Sequence, residues 1–356
     1  MKVAIIMGTR PEIIKLSPII QRLDKNNTFL IFTGQHYDYN LSLQFIEELG
    51  IRKPDFTMKL SKSNPSTQIG EIILKLAKLL PKLNPDTVIV EGDTNTVLAA
   101  SIASLKSDIP LSHVEAGPRS FDWRMPEEHN RIQVDHISEL LFAPSKLAKK
   151  NLLSEHVHGK IFVTGNTVID AIDMYADLAT TKSHISINVE DFALMTLHRA
   201  ENVDDKNTLS GIVKAILDSK QNIIFLVHPR TLKKLHEFNL YSILNKSENV
   251  RLLKPIGYFD MLELMKKCSF IITDSGGIQQ EATSHKIRKK VLVTRKTTDS
   301  PEAVMAGIAE VVGVEQTKIL AAIRRTSTNP KIHTKNTPYG KGDSGKRIIN
   351  IMKKYF

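Results

Sequence analysis

Short apolar runs rich in β-branched residues recur along this chain with helical stretches between them, and this alternation constrains the fold more than any other feature. The runs are 2-KVAIIM, 28-TFLIFT, 87-TVIVE, 110-PLSHVE, 139-ELLFA, 160-KIFVT, 191-DFALMTLH, 222-NIIFLVH, 249-NVRLL, 269-SFIIT, 291-VLVT and 308-IAEVVG. Strands that are apolar almost throughout, rather than at every second residue, are covered on both faces, which is the situation of parallel sheets with helical crossovers. Twelve such runs in 356 residues exceed one comfortable sheet and one ordinary core. A split near Gly165-Asn166 gives about six to each half. The expected fold is therefore α/β, with two Rossmann-like doubly wound domains and an active-site cleft between them. The first domain covers 1–165 and is joined by a C-terminal helix over 345–356; the second covers 166–344.

The N-terminal MKVAIIMGTRPEIIKL has a lysine and a short apolar stretch, but Arg10, Glu12 and Lys15 interrupt it before a secretory signal could form, so it reads as a strand followed by a helix. No segment is long enough to span a bilayer. Cys268, the single cysteine, lies in an apolar run, which excludes an intrachain disulfide and a thiolate metal cluster and fits a reducing cytoplasm. The formal charge of +11 is spread over scattered basic residues with no nucleic-acid module, so it supports only an anionic small molecule.

In open α/β sheets ligands collect at the carboxyl ends of strands, and the polar residues of this chain gather there. The first run is followed by 8-GTRPE, where Thr9 and Glu12 have capping-box spacing and Pro11 sits in the first helical turn. Later runs are followed by Gly92-Asp93-Thr94, by Glu115-Ala116-Gly117 and then 124-RMPEEHNR, by 196-TLHRAEN, 227-VHPR and 255-PIGYFDM, and by 274-DSGG. The last is a strand-to-helix turn, a place where glycines can admit a phosphate to bare N–H groups. Taken singly, Asp93 and Glu115 read equally well as strand-end caps, Glu127 beside Glu128 as a solvated face, and His198 as a structural histidine.

Taken together, GTRPE at 8–12, EGDTNT at 91–96, HVEAGPR at 113–119, PEEHNR at 126–131, TGNTVIDA at 164–171, HRAEN at 198–202, DSGGIQQEA at 274–282 and PYGKG at 338–342 closely resemble the non-hydrolysing UDP-N-acetylglucosamine 2-epimerase family over nearly the whole chain. The resemblance implies a glycosyltransferase-B-like pair of Rossmann domains in a homodimer. It also implies inversion of C2 between UDP-GlcNAc and UDP-ManNAc for glycan precursor synthesis.

Inverting an unactivated carbon needs either transient oxidation beside it or an elimination that makes it part of an alkene. GTRPE is not the GxGxxG turn of a nicotinamide site, so elimination of UDP and re-addition to a 2-acetamidoglucal remains, with no cofactor and no metal expected. By resemblance, Asp93, Glu115 and Glu127 are the acid/base candidates, with no assignment of which takes the C2 proton, and His198 supports the diphosphate or the proton transfer. Arg10, Lys15, Arg199, Ser275, Gly276 and Gly277 are expected around the diphosphate, Glu281 at the ribose diol and Tyr258 in the uracil loop.

The chain departs from its relatives at several places. Ser300 stands where an arginine is frequent, leaving Arg295 as a possible substitute; 286-KIRKKVL replaces GKPVL; Met261 replaces a frequent phenylalanine. In 35-QHYDYNL only Gln35 and His36 survive of a stretch tied to activation by a second UDP-GlcNAc. A hydrolysing epimerase and a UDP-sugar glycosyltransferase of the same fold are the competing functions.

Overall fold

The computed structural model describes residues 1–35, 45–61 and 64–356, so His36 lies outside the described residues. The chain forms two compact units, Met1–Ala171 with Tyr339–Phe356, and Ile172–Pro338.

The first unit is built on a seven-stranded sheet in the order β3-β2-β1-β4-β5-β6-β7, with β1 Val3–Met7, β2 Thr28–Phe32, β3 Phe56–Thr57, β4 Thr87–Glu91, β5 Leu111–Val114, β6 Leu140–Ala143 and β7 Lys160–Val163. Every pairing is parallel. All five residues of β1 and of β4 are buried, as the uniformly apolar runs require. β3 is the one strand of this sheet that no apolar run announces, because two residues carry no periodicity.

The second unit repeats the pattern with six parallel strands in the order β10-β9-β8-β11-β12-β13: β8 Phe192–Leu197, β9 Asn222–Val227, β10 Val250–Leu253, β11 Phe270–Thr273, β12 Val291–Val293 and β13 Ala309–Val311. In each sheet the strand order reverses once, between β1 and β4 in the first and between β8 and β11 in the second. A reversal leaves the two flanking crossovers on opposite faces and opens a crevice beyond the strand ends, where doubly wound proteins bind ligands.

The helix Arg10–Ile20 follows β1, with Pro11 in its first turn and Pro18 near its end. Against Pro18 packs Gly345, at the start of the C-terminal helix Ser344–Tyr355, and the N–H groups of Ser344 and Gly345 donate to Asp170 at 3.0 and 2.9 Å. The last helix thus belongs to the first unit although its residues end the chain. Helix Thr167–Lys182 carries the chain from one unit into the other. Among the described residues no helix is long and apolar enough to cross a membrane.

Candidate active site

At the reversal point of the first sheet the chain gathers several buried or half-buried ionisable groups. Helix Arg10–Ile20 supplies Glu12 and Lys15 and the end of β4 supplies Glu91; Asp93 and Thr94 follow, and Glu115 comes directly after β5. The Lys15 ammonium lies 2.6 Å from Glu115 Oε2 and 3.1 Å from Glu91 Oε1, with only 13% of its side chain exposed. Burial alone would lower this lysine's pKa, but Glu115 and Glu91 outweigh it and hold the ammonium charged. Lys15 therefore faces two carboxylates rather than an open anion position.

Glu115 is held twice at one oxygen, because Asn166 Nδ2 also donates to Oε2 at 2.8 Å. Its other oxygen makes no hydrogen bond among the described residues, and its side chain is 12% exposed. The backbone here is unusual: Glu115 has φ 67°, in the left-handed region that non-glycine residues seldom adopt. The amides of Glu115 and Ala116 both donate to Phe142 O, at 3.1 and 3.2 Å, which fixes this bend at the end of β5. Sparsely populated backbone conformations persist where the surroundings over-determine them, and they cluster at functional sites.

Asp93 repeats this one-sided arrangement. Arg131, from the helix Pro126–Ile137, hydrogen-bonds Asp93 Oδ2 and approaches Glu128 Oε2 at 3.2 Å, while Asn130 Nδ2 donates to the Asp93 carbonyl at 2.9 Å. Asp93 Oδ1 has no partner among the described residues. Of the paired acids in 126-PEEHNR, it is Glu128 that is buried and engaged, taking the amides of Ser120 and Phe121 and the Ser120 hydroxyl. Glu127 is half-buried and makes no hydrogen bond or ion pair among the described residues. From β5 itself, His113 reaches between Asp135 (2.8 Å) and the Gly92 carbonyl (2.9 Å), and Arg119 joins Asp135 to Glu155. This buried network pins the Gly92 turn from which Asp93 projects.

Glu12 departs from its expected role as a capping-box acid. Thr9 is the N-cap residue, but its hydroxyl donates to Glu12 Oε1 (2.9 Å) instead of capping the helix. Glu12 Oε2 takes the Gly8 amide (2.6 Å) and Oε1 also takes the Thr94 hydroxyl (2.7 Å). The carboxyl thereby ties the loop after β1 to the loop after β4. Burial pushes its pKa up to about 7, against the pull of those donors. Gly8 is dictated by a close approach, since a Cβ there would lie 2.2 Å from Thr96 Oγ1 and 2.4 Å from Thr33 Oγ1. Arg10 is exposed and lies over the Phe45 ring, 4.6 Å from its centroid.

The second unit places its candidates at the reversal between β8 and β11. Asp274, fully buried at the end of β11, accepts the amides of His198 and Arg199, the Asn202 side chain (3.0 Å) and His198 Nδ1 (2.9 Å). Burial works to raise this carboxyl, but the His198 hydrogen bond and charge and the two amides hold it below the ordinary range. Asp274 thus orients the His198 ring, which stays partly exposed with its centroid 5.8 Å from that of His228.

Ser275 is the N-cap of the short helix Gly276–Glu281. Gly276 is needed for packing, because a Cβ would meet Asp299 Oδ1 at 2.3 Å. At Gly277 a Cβ would meet only Ser275 Oγ, at 3.9 Å, so nothing among the described residues demands glycine there. Asp299 Oδ2 is shared by Arg199 (3.2 Å) and Arg295 (3.3 Å), and Arg295, only 2% exposed, also pairs with Glu201 at 3.0 Å. Arg199 Nε is buried with no hydrogen-bond partner among the described residues. Ser300 turns inward and donates to the Gly276 carbonyl at 3.3 Å. Tyr258 is buried, and burial, followed by the charge of nearby Glu281, raises its hydroxyl well above the ordinary tyrosine range. Among the described residues no group of three or more His, Cys, Asp or Glu side chains could hold a metal ion.

Glu12, Glu91, Asn166, Arg131 and Asp274 stand inside the motif blocks, but motif reading gave none of them a role in the site. The available signal was position: Glu91 closes an otherwise apolar run, and Asp274 ends another.

The family model described as UDP-N-acetylglucosamine 2-epimerase matches residues 20–353. The chain is 43% identical to the UDP-N-acetylglucosamine 2-epimerase of Methanocaldococcus jannaschii over 99% of each chain. A crystal structure of the M. jannaschii UDP-GlcNAc 2-epimerase in complex with UDP-GlcNAc and UDP has a TM-score of 0.90 at 42% identity, covering 99% of this chain and 100% of the other. The UDP-2,3-diacetamido-2,3-dideoxy-D-glucuronate 2-epimerase of Pseudomonas aeruginosa is 35% identical over 99% of this chain and 100% of its own length.

Proposed function

The chain belongs to the UDP-N-acetylglucosamine 2-epimerase family, with a glycosyltransferase-B-like fold, and from that premise we propose that it interconverts UDP-GlcNAc and UDP-ManNAc without net hydrolysis. The observation that carries the chemistry is the pair of half-engaged carboxylates. Asp93 and Glu115, in the loops after adjacent strands, each have one oxygen clamped by cationic or amide donors and the other unengaged. Such a carboxyl is oriented by one oxygen and can take or return a proton at the other, as inversion at C2 requires on each face. UDP leaves C1 as a proton leaves C2, and UDP re-adds to the glucal after protonation from the opposite side. Glu127, in the first turn of the helix Pro126–Ile137 that also holds Asp93 through Arg131, is the third acid/base candidate.

In the second unit, Gly276 and Gly277 present N–H groups at the start of the helix Gly276–Glu281, next to the Ser275 hydroxyl and, at Gly277, beside room that the described residues leave unfilled, and Arg199 Nε, without a hydrogen bond among the described residues, adds a cationic donor suited to a diphosphate oxygen. His198, held by Asp274, contributes there, Glu281 takes the ribose diol and buried Tyr258 backs the base-binding loop. Arg10 supplies a further exposed cation, whereas Lys15 acts by holding Glu115. A homodimer and a cytoplasmic location are the accompanying expectations, open to sedimentation and to fractionation.

The test is turnover of UDP-GlcNAc in deuterated water. The expected product is UDP-ManNAc with deuterium at C2, and no accumulation of free sugar. Protium retained at C2 would remove the elimination route, and stoichiometric ManNAc with UDP would make the enzyme a hydrolysing epimerase.

A further inference from the structure

We propose that Glu91 is a positioning residue for this reaction: from the end of β4 it shares the Lys15 ammonium with Glu115 and so sets how firmly that ammonium holds Glu115. The inference rests on the acid–base role given above to Glu115.

Geometry places one cation between two carboxylates, at 2.6 Å from Glu115 Oε2 and 3.1 Å from Glu91 Oε1. Glu91 is 1% exposed. Its Oε1 is buried without a hydrogen bond, so the ion pair with Lys15 is that atom's polar contact among the described residues. A carboxylate is rarely placed at the buried end of an apolar strand unless something compensates its desolvation. Here the compensation is a lysine whose shorter contact is with a different acid. In a low-dielectric site the two anions compete for the cation, so ionised Glu91 loosens the Lys15–Glu115 pair and neutral Glu91 lets it tighten. A general acid/base that must release and regain a proton in each cycle works poorly when a buried cation favours its ionised form too strongly.

The groups around Glu91 support a titrating role. Burial raises its carboxyl well above the ordinary range; Lys15 pulls the other way, and Glu115 and Glu12 add to the rise. Past the strand end, the buried His113–Asp135–Arg119 network reaches the neighbouring Gly92 carbonyl. In this arrangement kcat rises with pH as Glu91 ionises, because only the charged form competes for Lys15.

Glu91→Gln keeps the shape and mimics the protonated form. Its expected signature is UDP affinity and KM within about 2-fold of wild type, kcat lowered about 10-fold, and no rise of kcat across the pH interval where wild type shows one. Glu91→Asp, which keeps the charge, retains the rise. A Glu91→Gln enzyme with the wild-type kcat–pH curve overturns the proposal. So does one lowered by the same factor at every pH, one that no longer binds UDP, or loss of the rise in Glu91→Asp as well, since each of these marks a packing role. If wild type places deuterium at C2 while Glu91→Gln is unaltered, the function stands and only the role of Glu91 falls.

Discussion

Glu12 shows how far a residue's meaning depends on what reaches it. Its spacing from Thr9 is that of a capping box, a device of helix ends, yet the folded chain buries it and surrounds it with the Gly8 amide and the Thr9 and Thr94 hydroxyls. Asp93 and Glu115 were legible as acids ending buried strands. Glu12 was not, because nothing local distinguishes a capping acid from one that a loop about 80 residues away will cover, and Glu91, although it closes an apolar run, carried no sign of the lysine that would reach it. The buried state of Glu12 is testable by linkage. Its folded value, about 7, lies above its ordinary 4.5, so the protonated form contributes stability that is complete below 4.5 and is lost as the pH rises through 7. The interval corresponds to about 3 kcal/mol. Urea unfolding of wild type and Glu12→Gln between pH 4.5 and 8 should therefore diverge, with wild type losing about that much relative to the variant. Parallel curves would mean that the three donors keep Glu12 ionised throughout.

At the scale of elements, the strands were readable because parallel sheets demand long apolar runs, whereas their order in each sheet, and with it the two reversal points, depends on which strands pair. β3 escaped for want of length, and the exchange of partners inside 126-PEEHNR, with Glu128 engaged and Glu127 open, depends on which face of the helix Pro126–Ile137 meets the loop at Ser120. The turn at Ser275 divides in the same way. Gly276 answers to Asp299, whereas a Cβ at Gly277 would meet only Ser275 Oγ among the described residues, as the proposed diphosphate position requires. That difference yields opposite effects on stability and binding. Gly277→Ala lies in a helix with space around it and is expected to raise stability by about 0.5–1 kcal/mol. The same methyl should obstruct a diphosphate and weaken UDP binding by about 10-fold, and calorimetry with thermal melts reads both. A variant that is more stable and binds UDP normally would remove Gly277 from the site. Gly276→Ala, by contrast, should lose stability.

Across the whole molecule the chain returns at its end to the unit where it began, and the reactive groups depend on that return. Helix Ser344–Tyr355 buries Ile348, Ile349 and Met352, lays Gly345 against Pro18 of the helix that carries Glu12 and Lys15, and gives two amides to Asp170, four residues beyond the Asn166 that holds Glu115. Removing residues 344–356 would strip three apolar side chains worth about 1.5–3 kcal/mol each and leave the Asp170 carboxylate buried without those donors. Because each unit has its own sheet and core, the loss should be confined to one of them. The expected outcome is faster amide exchange in β1, β4 and the helix Arg10–Ile20, with loss of turnover, while the amides of β8, β9 and β11 keep their protection. UDP affinity should fall less than turnover, since Ser275, Gly277, Arg199 and His198 belong to the unit that keeps its core. Uniform loss of protection across both sheets would show that the units do not fold independently. Unchanged exchange and unchanged turnover would show that the terminal helix is dispensable and that Asn166 and Lys15 hold Glu115 without it.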